Sequence, residues 1–173
     1  LGALLFKDPQ SLRRVADVPV QLDRIVATAL RKDRNQRYQT VSHMLADLRE
    51  RGLHTDRPIL VVVDGSKALP KAVRNVFGER AIIQRCQAHK TRNVVDQLPD
   101  EMKPSVRQAL RDAYATSDAD RARTMLTNLV RRLRDDHPGA ASSLEEGLDE
   151  TLSVKRLRLP KKLERQLSTT NAI

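Results

Sequence analysis

The feature that most constrains this chain is a five-residue apolar run, Ile59-Leu60-Val61-Val62-Val63, ended abruptly by Asp64-Gly65-Ser66. A short, continuous, β-branched run reads as a strand buried on both faces, the kind found in parallel sheets. Ala68 to Phe77 follows with Leu69, Val73, Val76 and Phe77 at helical spacing, and Ala81-Ile82-Ile83 reads as a second short strand. Strand, helix, strand at this spacing is a parallel βαβ unit with a right-handed crossover. Two parallel strands rarely form a sheet alone, so further strands are expected from elsewhere.

The rest reads as helix. Upstream, Leu22, Ile25, Val26, Ala29 and Leu30 keep a 3.6-residue period behind Asp17 or Pro19. Val41, Met44, Leu45 and Leu48 resume it after a polar break at 33–38, with Thr40 as N-cap and Gly52 as stop. Downstream, helical segments near 86–98, 103–115, 118–136, 138–151 and 160–167 are punctuated by Pro99, Pro104, Asp118, Pro138 and Pro160. Asp118 and Ser142 both offer capping chemistry. The fold class is therefore mostly α with a small parallel β element.

Composition narrows the function. Lys and Arg exceed Asp and Glu by 32 to 22, a formal charge of +10, which favours a polyanion such as nucleic acid held by its phosphates. Aromatics are 2% of the chain, which argues against base-stacking modules. The run at 59–63 is the longest apolar stretch, far below the ~20 residues a membrane span needs. No secretory signal is visible, and one cysteine permits no internal disulfide, so a cytoplasmic location is expected. Nucleotide-binding and hydrolase motifs such as G-x-G-x-x-G and G-x-S-x-G are absent.

Three places carry chemistry. Asp64 stands at the carboxyl end of a buried parallel strand, where open α/β sheets place their ligands. A carboxylate there either holds Mg²⁺ or makes the turn into the next helix. Cys86 and His89 form a C-x-x-H. Structural zinc takes four ligands and only two stand together, so the pair reads first as a buried thiol beside a hydrogen-bonded imidazole. Lys155, Arg156, Arg158, Lys161, Lys162 and Arg165 either track a phosphate backbone or form a solvated face whose stems cover Leu157, Leu159, Leu163 and Leu167.

From about Leu53 to Ile173 the chain resembles the Mutator-type insertion-sequence transposases of bacteria. The text that carries this is Val61-Val62-Val63-Asp64-Gly65-Ser66-Lys67-Ala68-Leu69, then Arg85-Cys86-Gln87-Ala88-His89-Lys90-Thr91-Arg92-Asn93-Val94. Leu98-Pro99, His137-Pro138-Gly139, Leu144-Glu145-Glu146-Gly147-Leu148-Asp149-Glu150-Thr151-Leu152 and Thr169-Thr170-Asn171-Ala172-Ile173 follow in order. The resemblance implies a partial ribonuclease H-like fold with a helical insertion. It implies a mechanism in which three carboxylates hold Mg²⁺ or Mn²⁺ for phosphodiester cleavage and strand transfer. Asp64 matches the second catalytic Asp, and Cys86 and His89 match the family's C-x-x-H signature.

In that family the first Asp lies on an upstream strand, and the catalytic Glu directly follows the Thr-Thr-Asn-Ala-Ile motif. One carboxylate of three is expected here, hence no strand cleavage by this polypeptide alone and no stably held metal. DNA is the expected partner, the element's terminal inverted repeats in the intact family, with oligomers compatible and no membrane association. A non-enzymatic helical fragment that binds DNA or a partner is the alternative.

Residues 1–50 resemble the C-terminal end of bacterial serine/threonine protein kinase domains. The matching text is Val18-Pro19-Val20-Gln21-Leu22-Asp23-Arg24-Ile25-Val26, Ala29-Leu30-Arg31-Lys32-Asp33, Arg37-Tyr38-Gln39 and Leu45-Ala46-Asp47-Leu48-Arg49. Arg37 matches an Arg that pairs with the Glu of an upstream Ala-Pro-Glu motif. No ATP-anchoring element is present, so no kinase activity is expected. The expected organisation is a helical remnant over 1–50 and a partial transposase core over 53–173.

Overall fold

A computed structural model describes residues 9–52, 54–66 and 68–170. The chain divides into two compact units, Leu1–Ile59 with Lys71–Ala81, and Leu60–Pro70 with Ile82–Ile173. Among the described residues no helix is long and apolar enough to cross a membrane.

In the first unit, α1 (Val20–Ala29) packs on α2 (Val41–Glu50), with Ile25 and Leu45 as their buried residues. Pro19 is the N-cap of α1. Thr40 caps α2, its hydroxyl accepting the His43 amide at 3.1 Å, which satisfies one of the orphan donors of the first turn. The expected stop at Gly52 also holds, its amide bonding the Arg49 carbonyl. Arg37 spends its guanidinium locally, on the carbonyls of Arg31 (2.5 Å) and Lys32 (3.3 Å).

β1 (Ile59–Val63) and β2 (Ala81–Arg85) form a two-stranded parallel sheet. α3 (Ala68–Phe77) lies between them in sequence, with Val73 and Phe77 buried on its apolar stripe. The second strand runs two residues further than its apolar run predicts, through Gln84 and Arg85. Both polar side chains are buried, so they extend the strand inward rather than end it.

The helical part of the second unit comprises α4 (Gln87–Val95), α5 (Lys103–Ala115), α6 (Ala119–Arg134), α7 (Pro138–Glu145), α8 (Ser153–Arg156) and α9 (Lys161–Leu167). One core joins α4 to α7, with Val94, Val106, Leu110, Leu126, Leu133 and Leu144 at its centre. α6 supplies the densest stripe, Ala122, Leu126, Leu129, Val130 and Leu133, at the spacing a buried helix face requires. Asp118 caps α6 by accepting the Arg121 amide at 2.6 Å, and Arg131, Arg132 and Arg134 complement its negative end.

Two expectations need correction. The helix at 138–151 is two pieces, α7 and a 3₁₀ turn at Asp149–Leu152. Ser142 is no N-cap, because Pro138 already opens α7 and leaves Ser142 in its body.

Candidate functional site

The site begins at the carboxyl ends of the paired strands. The Cys86 amide donates to the Val63 carbonyl at 2.7 Å, so Asp64 and Cys86 leave adjacent strands side by side. Asp64 is exposed, and its Oδ1 accepts the Ser66 amide at 3.0 Å. That bond makes the turn expected of an Asp-Gly after a strand. Gly65 is closely approached: a Cβ there would sit 3.1 Å from Asn93 Nδ2 on α4, so the Asn93 side chain would have to give way slightly. Lys67 of the same motif lies outside the described residues.

Among the described residues there is no group of three or more His, Cys, Asp or Glu side chains able to hold a metal ion. Asp64, with one oxygen committed to Ser66, is a single carboxylate donor. This donor set does not fit a two-ion centre by itself, because such a centre needs several carboxylates around both ions.

Cys86 is the N-cap residue of α4 and is buried. Its sulfur lies 3.3 Å from Thr169 Oγ1 and accepts the Thr170 amide at 3.3 Å. Burial pushes the thiol pKa up, but hydrogen bonds from Thr169, Thr170 and the His89 amide outweigh it and pull the value down to about 6. One turn on, His89 Nδ1 lies 3.3 Å from Thr170 Oγ1. The Gln87 amide donates to the Ser168 carbonyl at 2.9 Å. The C-x-x-H and the Thr-Thr motif, far apart in sequence, therefore meet at the strand ends. Asn171, Ala172 and Ile173 lie outside the described residues.

Behind the strand ends is a polar bolt that periodicity alone does not reveal. Gln84, fully buried, donates through Nε2 to the Thr151 carbonyl (2.9 Å) and accepts the Val154 amide through Oε1 (2.8 Å). Arg85 pairs with Glu150 at 2.6 Å and approaches Glu146 at 3.8 Å. Lys90 is buried and donates to the carbonyls of Ser143 (2.5 Å) and Glu146 (2.7 Å). Burial, then the neighbouring Arg85 charge, lowers its pKa. These bonds fasten β2 and α4 to the Leu144–Leu152 segment. The signal available in the sequence is Gly147 among acidic residues, since a glycine there marks a tight backbone.

The basic run is divided by its partners. Lys155 is buried and paired with Glu164 at 2.6 Å. Arg156 pairs with Asp149 at 2.6 Å, an acid it shares with Arg123. Arg158, with left-handed backbone (φ 52°), Lys161, Lys162 and Arg165 are exposed. Lys161 and Arg165, one turn apart on α9, edge a cleft of about 700 Å³ whose other walls include Gln87, Tyr114, Ser117 and Thr169. With Lys155 neutralised by Glu164, those two cations set the sign of the cleft, and they lie beside the Cys86 contacts.

A strand-end aspartate, a C-x-x-H docked on a Thr-Thr segment, and a basic cleft between helices thus stand together at the ends of the paired strands. Residues 25–173 match the family described as "Transposase, Mutator family", and the chain belongs to that family. The match begins upstream of residue 53 and overlaps the second half of the kinase-like stretch.

Among relatives, the chain is 32% identical over 130 residues to the transposase for insertion sequence element IST2 of Acidithiobacillus ferrooxidans, covering 75% of this chain and 43% of that protein. It is 32% identical over 130 residues to the transposase for IS6120 of Mycolicibacterium smegmatis, covering 75% and 39%. It is 31% identical over 105 residues to the transposase for IS256 in transposon Tn4001 of Staphylococcus aureus, covering 60% and 26%. The chain thus spans about two fifths of the first two relatives. No solved structure matches.

Proposed function

We propose that this polypeptide is part of the catalytic core of a DNA transposase and, by itself, binds DNA without cutting it. The observation that carries the binding half is the cleft edged by Lys161 and Arg165 next to the strand ends, on a chain of net charge +10. Phosphates seated there release counterions, which makes such binding strong at low salt and indifferent to sequence. Lys162 and Arg158 are exposed as well and add to the basic charge of the segment.

Asp64 is the carboxylate this chain contributes to a three-carboxylate centre for phosphodiester cleavage and strand transfer with Mg²⁺ or Mn²⁺. The reading is supported by its strand-end position and by family membership. Among the described residues no second and third carboxylate join Asp64 in such a group. A donor set of one does not fit the metal pair, so no chemical step is assigned to this polypeptide. Residues 1–50 we read as a kinase-derived helical remnant without activity, joined to the transposase portion near residues 46–53. A cytoplasmic location follows from the reading as a bacterial recombination protein.

The test is a paired assay of the purified protein with DNA carrying insertion-sequence ends, with Mg²⁺ and with Mn²⁺. Retention of DNA at low salt, equal for unrelated DNA, with no nicked product is expected. Nicking that disappears in Asp64→Ala would overturn the inactivity, and no retention at low salt would overturn the DNA reading.

A further inference from the structure

Cys86 is bonded in two directions at once. Its amide holds the Val63 carbonyl, one residue before Asp64, and its sulfur receives the Thr170 amide and touches the Thr169 hydroxyl. His89 meets the Thr170 hydroxyl, and the Gln87 amide takes the Ser168 carbonyl. Together these bonds draw one short segment onto the first turn of α4. Neither the Cys86 sulfur nor the His89 Nδ1 is left facing an empty donor cluster, and a metal would have to displace both threonines.

We propose that Cys86 and His89 form a hydrogen-bonded clasp for Ser168–Thr170 and act as positioning residues, holding the end of the helical excursion against the strand end that carries Asp64. This rests on the reading of Asp64 as the reacting-site carboxylate. Because Gln87, Ser168 and Thr169 also line the basic cleft, the clasp shapes that wall too. Opening it would move the Thr-Thr segment away from both places together.

Cys86 is the sole cysteine, so alkylation by iodoacetamide reports on it alone. The assay is run at pH 10, above the ordinary thiol value of 9.0, so that ionisation limits neither the native protein nor the variants. Slow labelling of the native protein is expected, with at least tenfold faster labelling in Thr169→Val/Thr170→Val at unchanged circular dichroism. Thr170→Ser, which keeps the hydroxyl, should label at the native rate. Should the double variant fail to fold, Thr170→Val alone carries the test and should label about threefold faster.

Native-rate labelling in the folded valine variants would overturn the clasp. So would protection of the thiol by zinc ion that disappears in His89→Ala, because a metal would then stand in place of the threonines. No DNA and no activity enter this assay, so a failed reading of Asp64 leaves its outcome legible, and Asp64→Asn should label at the native rate.

Discussion

A methyl group added to Gly147 would collide with the guanidinium of Arg85, at its Nε and Cζ. The glycine also holds φ at +64°, where an L-residue is strained by about 1–2 kcal/mol. Gly147→Ala should therefore both strain the backbone and push Arg85 off Glu150. We expect a loss of about 3 kcal/mol in urea unfolding, the scale for a buried pair disturbed on one side. Gly139→Ala, which would meet the end of the flexible Gln97 side chain, should cost far less.

Removing the acid has the same consequence by another route. The Arg85 side chain is 10% exposed, and Glu150 supplies its 2.6 Å partner. Glu150→Ala leaves a buried guanidinium with Glu146, 3.8 Å away, to balance its charge. A destabilisation of about 3 kcal/mol is expected in the same assay, with β2 amides losing hydrogen-exchange protection before those of α6.

The clasp makes stability depend on pH. A thiol pulled from 9.0 down to about 6 in the folded chain binds fewer protons than the unfolded chain between those values. Stability from this group is fully present above about pH 9 and fades as pH falls through about 6. Urea midpoints should rise from pH 6 to pH 9 in the native protein, and Cys86→Ser should flatten that rise. An equal slope in the serine variant would rule the linkage out.

The exposed and buried members of the basic run should separate in a salt titration of DNA binding. Lys161→Gln/Arg165→Gln should weaken binding for all sequences and reduce the log–log salt slope by about 2, roughly one for each phosphate no longer neutralised. Lys155→Gln should leave the slope nearly unchanged while lowering the melting temperature, since Lys155 is spent on Glu164.

The centre of the helical core should tolerate truncation poorly. Leu126 is fully buried on α6, so Leu126→Ala should cost about 2–5 kcal/mol by calorimetry or urea. Val15→Ala, at an exposed position, should be close to neutral.

Whatever depends on near neighbours is legible in the sequence. The Ile59–Val63 strand, the Asp64 turn, the Thr40 and Asp118 caps and the apolar stripe of α6 are all written within a few residues. What depends on distant residues is illegible. Polar Gln84 and Arg85 read as the end of β2, yet their partners stand about 65–70 residues on. The C-x-x-H spacing gives a motif without a partner; Thr169 and Thr170, which complete it, are over 80 residues away. Lys155 reads like its five basic neighbours because nothing local says that Glu164 will bury it.

The meeting of Cys86 with Thr170 closes a loop that contains its own apolar centre. The length of that stretch can change at little entropic cost, since closing a longer loop costs little more than closing a short one, as long as its bonds to β2 through Gln84 and Arg85 are kept. Any replacement would have to preserve two places: the seam where the stretch leaves and re-enters, and the buried polar contacts that β2 makes with its middle.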